Sequence, residues 1–210
     1  MALIIPSIAS ASQLSLKDEI ARLQDYPYLH IDIEDGNFLP NITFGMKTVK
    51  AITGATNAAT DAHLLVTNPK DYVAQMASCG VSTLCFHIEA APYPADVLNC
   101  IRKHGMKAGL AFNFKTSVRE ALPFLSSLDY VLIMTSEPDD GDCIFCEAIV
   151  DKIREARQIL PPHISIWVDG GVGEAQLPLV TAAGADTVIM GRAVWHAEDP
   201  CAQAKRLSSL

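Results

Sequence analysis

The chain has 210 residues, of which 50% are hydrophobic and 19% charged, and its formal net charge is −8 at pH 7. That length suits one large domain, 1–210, with a substantial core, and the composition excludes a disordered chain. The acidic balance, with no cluster of Lys and Arg, leaves no electrostatic footprint for nucleic acid, and the opening apolar run MALIIPSIAS is too short for a membrane span.

That first run has no basic stretch ahead of it and carries a Pro, so it reads as a β-strand at 3–8 rather than as a signal segment, and a cytoplasmic protein is expected. A helical pattern follows at 17–24, then a strand at 28–33, a helix at 46–53, a strand at 60–65 and a helix at 70–79. The alternation continues with strands at 83–87, 107–112, 130–134, 165–168 and 187–190. Helices are predicted at 95–104, 117–124, 144–159, 174–183 and 200–207. Gly80, Gly105 and Gly184 each stand just before a strand, the position of a left-handed helix cap. Eight βα units fit a closed parallel (β/α)8 TIM barrel, although an open doubly wound sheet would alternate in the same way. No G-x-G-x-x-G follows the first strand, which weakens a dinucleotide-binding reading.

The six cysteines (Cys79, Cys85, Cys100, Cys143, Cys146 and Cys201) are scattered through a chain large enough to need no staples, and reduced thiols are expected. Cys143 and Cys146 form a C-x-x-C, but no second such pair or pair of histidines stands at zinc-finger spacing.

The segment His30-Ile31-Asp32-Ile33-Glu34 carries the most chemistry. A strand's period of two puts His30, Asp32 and Glu34 on one face and the isoleucines on the other. Pointed into a closed barrel, such charges are costly without a counter-ion, so a cation is a natural partner; a partly solvated strand end is the plainer alternative. Asp61 and His63 share a face late in the third strand, and Asp169 ends the seventh, before Gly170 and Gly171. Two imidazoles and two carboxylates at C-terminal strand ends suit Zn, Fe, Mn or Co, with no ranking among them. Bound to a ketose, such a metal would act as a Lewis acid that stabilises an enediolate. Two carboxylates on opposite sides of that plane would remove and return a proton.

The stretches PSIAS, HIDIEDGNFLPNITFG, DAHLLVTNP, GLAFN, LIMTSEP, WVDGGV and AAGADTVIMGRAV together resemble the ribulose-phosphate 3-epimerase family along nearly the whole chain. The resemblance implies a barrel of the ribulose-phosphate-binding type, one divalent metal held by His30, Asp32, His63 and Asp169, and Asp32 and Asp169 as the exchanging acid and base. It implies inversion of C3 of a ketose phosphate of the ribulose 5-phosphate/xylulose 5-phosphate type. Ser7 and His63 correspond to substrate-contacting positions, Gly141, Gly170, Gly171 and Gly191 to backbone contributors near the phosphate, and Met134 to the apolar wall over the reacting carbons. Related barrels commonly associate, so a homo-oligomer is expected.

Three departures bear on the substrate. Where the family carries a glycine-rich phosphate loop, this chain has Pro138-Asp139-Asp140-Gly141-Asp142-Cys143, whose carboxylates oppose an anion. A small serine is replaced by Arg192, a permanent cation able to grip phosphate or carboxylate. Glu34 stands where the family has a methionine, as does Leu65. The alternatives that follow are an epimerase acting on an unphosphorylated ketose or a sugar acid, a ligand-binding barrel without catalysis, and an aldolase or decarboxylase on the same scaffold.

Overall fold

The computed structural model describes residues 2–138 and 143–210. Eight strands, β1 (Leu3–Pro6), β2 (Tyr28–Glu34), β3 (Ala59–Leu65), β4 (Thr83–His87), β5 (Lys107–Phe112), β6 (Tyr130–Met134), β7 (Ser165–Asp169) and β8 (Thr187–Met190), pair in one parallel sheet of order β1-β8-β7-β6-β5-β4-β3-β2. The ring is nearly closed, because β1 and β2 meet at a parallel bridge between Ser7 and His30. The closed barrel is thereby chosen over the open sheet.

Alternation along each strand divides the core into two layers. Ile4, Ile31, Ile33, Leu64, Val131 and Val188 point outward and pack beneath the helices. Ile5, Cys85, Ala111, Tyr130, Leu132, Met134 and Ile189 fill the barrel interior. A strand buried on both faces gains from apolar residues at every position, which is why these segments read as near-continuous hydrophobic runs. Among the polar exceptions, His30, Asp32 and Glu34 of β2, Asp61 and His63 of β3, and Asp169 of β7 belong to the inward set.

The helices are α1 (Leu16–Arg22), α2 (Met46–Gly54), α3 (Lys70–Cys79), α4 (Pro94–Lys103), α5 (Val150–Ile159), α6 (Leu177–Ala183), α7 (Arg192–Trp195) and α8 (Pro200–Ser208). Gly80 and Gly184 cap α3 and α6 with φ of 90° and 113°, as their place before a strand predicts. Among the described residues, no helix is long and apolar enough to cross a membrane.

Four local expectations need correction. The first strand stops at Pro6, and Ile8–Ser10 is a 3-10 turn that carries the chain across the barrel mouth. The fifth helix is a 3-10 segment, Val118–Ser127, with Pro123 inside it, and a proline removes the donor that an α-helical turn needs. The sixth begins at Val150 rather than at 144, because the Cys146 amide donates to the Thr135 carbonyl, at 2.8 Å, and holds the chain extended along the end of β6. The seventh starts at Leu177, with Pro178 in its first turn, where a missing N–H costs nothing. The turn α7, directly after β8, has no counterpart in the periodicity.

Candidate active site

The C-terminal end of the barrel holds a cleft of about 440 Å³ whose lining includes Ser7, Asp32, Glu34, Met134, Asp169 and Arg192. Barrel architecture puts the strand ends here, so inward-facing side chains from distant parts of the chain converge on one mouth.

His30, Asp32, His63 and Asp169 offer ligand-capable atoms that all lie within 4.8 Å of one another. His30 and His63 are fully buried, whereas Asp32 and Asp169 reach the cleft. The His30 Nε2 atom lies 3.0 Å from Asp32 Oδ1 and 3.9 Å from Asp169 Oδ2. His63 Nδ1 lies 3.5 Å from Asp32 Oδ1 and 3.7 Å from Asp169 Oδ2, and neither ring nitrogen of His63 has a hydrogen-bond partner. A buried polar atom with no partner is costly, and a cation held among these four groups would supply one. Imidazole nitrogen with carboxylate oxygen is a donor set that suits a divalent transition metal, so the residues fit the group.

The electrostatics agree. Burial pulls the His30 imidazole down, but Asp32 and Asp61 beside it outweigh burial and hold it well above its ordinary value. The same opposition, with Asp169 and Asp32 as the anions, leaves His63 raised. Burial pushes the Asp32 carboxyl up, yet the two imidazoles bring it below the usual carboxylate range. The cluster draws positive charge, whether as protons or as a metal ion.

The surrounding residues explain the placement. Ser7 Oγ donates to Asp32 Oδ2 at 2.7 Å, and the Ser7 carbonyl accepts from the Trp195 indole N–H at 2.6 Å, so α7 clamps the end of β1. Thr43 Oγ1 donates to the Asp32 carbonyl at 2.7 Å and accepts from the Glu34 amide at 3.0 Å. Asn41 Nδ2 donates to Glu34 Oε2 at 2.7 Å. The His87 ring stacks on His63, with centroids 4.9 Å apart, and Phe38 packs on His87 at 5.0 Å. Burial lowers His87 to about 4, so this neighbour of His63 is neutral at pH 7.

The sequence-predicted residues Ser7, Glu34, Met134, Gly170, Gly171, Gly191 and Arg192 all line the cleft, as does Leu65. Gly141 and the aspartates at 139, 140 and 142 lie outside the described residues. Three of the glycines have a packing reason of their own. A Cβ on Gly170 would stand 2.4 Å from Ser136 Oγ, on Gly171 2.5 Å from the Cys143 carbonyl, and on Gly191 2.1 Å from Ser10 Oγ. Arg192 Nη2 lies 3.5 Å from the same Cys143 carbonyl, which ties the end of β8 to the segment after β6. Cys79, Cys85, Cys100, Cys146 and Cys201 are free thiols.

Sequence reasoning placed Asp61 on the face of His63 without giving it a role, and it missed Asn41, Thr43, His87, Tyr130 and Trp195. Strand alternation could have flagged Tyr130, since it falls on the inward face of its strand. Asn41, Thr43 and Trp195 lie outside the strands and carry no such signal.

Comparison with known proteins follows the same line. The family model described as the Ribulose-phosphate 3 epimerase family matches residues 3–195. The chain is 35% identical over 202 residues to the ribulose-phosphate 3-epimerase of Schizosaccharomyces pombe, covering 94% of this chain and 88% of that protein. It is likewise 35% identical over 202 residues to the enzyme of that name from Bacillus subtilis, covering 93% of each. Among solved structures, the KGPDC of Streptococcus mutans superposes with a TM-score of 0.74 at 14% identity, over all of this chain and 96% of that one, a likeness of fold alone.

Proposed function

The chain belongs to the ribulose-phosphate 3 epimerase family, an isomerase family, and from that premise we propose that it inverts C3 of a ketose phosphate of the ribulose 5-phosphate/xylulose 5-phosphate type. The observation that carries this reading is the convergence of His30, Asp32, His63 and Asp169, with neither ring nitrogen of His63 hydrogen-bonded, at the floor of a cleft.

His30, Asp32, His63 and Asp169 would hold one divalent ion, of Zn, Fe, Mn or Co type. When bound, that ion supplies Lewis acidity for charge that develops on the sugar oxygens. Asp32, kept ionised at neutral pH by its two imidazole neighbours, and Asp169 serve as the acid and base. One carboxylate takes the C3 proton while the C–H electron pair moves toward the C2 carbonyl, giving an enediolate. The other, starting the turnover as the protonated carboxyl, delivers its proton to C3 from the opposite face. Ser7 orients Asp32 through its hydroxyl. Leu65, Met134 and Ile189 form the apolar wall over the reacting carbons and keep water from the exposed carbanion face. The phosphate lies toward Gly170, Gly171, Gly191 and Arg192, where the guanidinium adds a charged contact. Glu34, braced by Asn41, accepts from a substrate hydroxyl.

Incubation of metal-loaded protein with D-ribulose 5-phosphate in D₂O tests the reading: deuterium is expected at C3, with xylulose 5-phosphate as product. No exchange with this or related ketose phosphates, at proven metal occupancy, overturns it. A second reading, a ketose without phosphate or a sugar acid, is favoured by the Glu34 carboxylate in the lining. A kcat/KM for the free ketose above that for its phosphate would establish it instead.

A further inference from the structure

We propose that Tyr130 is a positioning residue that acts through Asp61 to fix the tautomer and orientation of His30; the inference rests on the metal-centre reading above. Tyr130 is a core aromatic at the start of β6, inside the barrel and below the cleft. Its hydroxyl does what no apolar filler could. It donates to Asp61 Oδ1 at 3.1 Å, and Asp61 Oδ2 in turn pairs closely with His30 Nδ1. The other ring nitrogen of His30, Nε2, faces Asp32 and Asp169. An ionised carboxylate only accepts, so a neutral His30 beside Asp61 carries its proton on Nδ1 and leaves the Nε2 lone pair for a cation.

The barrel is built around this chain of contacts. On the neighbouring strand β5, Gly109 leaves room for the phenol: a Cβ there would lie 2.2 Å from the Tyr130 Cζ atom. Trp167 on β7 stacks on the Tyr130 ring with centroids 4.2 Å apart but makes no hydrogen bond to it. Asp61 is buried, and with both its oxygens engaged it is held against His30. Removing the phenolic donor frees that carboxylate to rotate and lets His30 tilt from the cluster. Partners one bond beyond a metal's ligands act in this way on affinity and geometry rather than on substrate contact.

The test uses the whole chain, stripped of metal and titrated with Co²⁺ while its visible d–d absorption is followed, for wild type, Tyr130→Phe, Asp61→Asn, the double variant and Trp167→Phe. Asp61→Asn is expected to weaken Co²⁺ binding about 10–100-fold and Tyr130→Phe, one bond further away, several-fold, each with a shifted spectrum. The double variant is expected to be no worse than Asp61→Asn alone, since Tyr130 works only through Asp61. Trp167→Phe, which disturbs packing but no bond in the chain, should bind Co²⁺ as wild type does. The inference is overturned if Tyr130→Phe binds within twofold of wild type with an unchanged spectrum, if the two losses add in the double variant, or if Trp167→Phe loses as much as Tyr130→Phe. A wild type that binds no Co²⁺ overturns the metal reading itself, and this inference with it.

Discussion

Gly109→Ala is the substitution whose consequence can be worked most directly from the geometry. The new methyl would stand 2.2, 2.5 and 2.6 Å from three atoms of the Tyr130 ring. Carbon atoms rest about 3.5–4.0 Å apart, so the ring would have to retreat by more than 1 Å, roughly speaking. It has nowhere to go, because Tyr130 is 2% exposed and Trp167 is stacked on it. Overpacking of this kind costs about 1–3 kcal/mol, and displacing the phenol from the Asp61 carboxylate adds about 1.5–3 kcal/mol. Against a total stability of about 5–15 kcal/mol, that is a large fraction. In urea unfolding the midpoint should fall at unchanged slope, and thermal unfolding should drop by about 10 °C for a chain of this size. Gly109→Ala combined with Tyr130→Leu should recover most of the overpacking loss, since leucine vacates the ring's far end. A single variant within about 0.5 kcal/mol of wild type, or a double variant no better than the single, would refute the steric account.

Replacing Asp32 or Asp169 by Asn should reduce turnover by about 10²–10⁴-fold, measured as C3 epimerisation under saturating metal, because an amide can neither take up nor give back the proton that one face of the substrate needs. Removing metal with a chelator should lower the thermal midpoint by about 5–10 °C relative to protein with the ion at about a hundred times its dissociation constant, read by scanning calorimetry. Glu89 should make stability fall in acid. Burial pushes its carboxyl up, but hydrogen bonds from His87, Thr116 and the Asn113 amide outweigh burial and bring it from 4.5 to about 2. The folded state then binds fewer protons than the unfolded one, so the contribution is complete above pH 4.5 and is lost as pH falls through about 2. A Glu89→Gln variant should flatten that part of the stability profile in urea titrations run across the acid range.

The order of strands and helices was legible from the sequence because strand alternation, helical spacing and glycine caps are local signals. The candidate cluster was legible in part: His30 and Asp32 sit two apart on one strand, His63 lies late in β3 and Asp169 ends β7, but it was the family resemblance that grouped the four. Helix starts were less legible. The extended stretch before α5 exists because the Cys146 amide finds the Thr135 carbonyl, a contact invisible to periodicity.

Period two says that Asp61 and Tyr130 face inward, but which residues they meet depends on register. His30 lies opposite Asp61 in the β2–β3 pairing, and Tyr130 opposite Gly109 in the β5–β6 pairing. The partnership of Tyr130 with Asp61 spans 69 residues of chain and two intervening strands. Curling the sheet until Ser7 meets His30 places these side chains across a shared interior. Sequence alone determined the face each side chain would take and the chemistry it would bring. Closure of the barrel decided its neighbours, because only a closed ring brings the inward faces of non-adjacent strands within hydrogen-bonding distance.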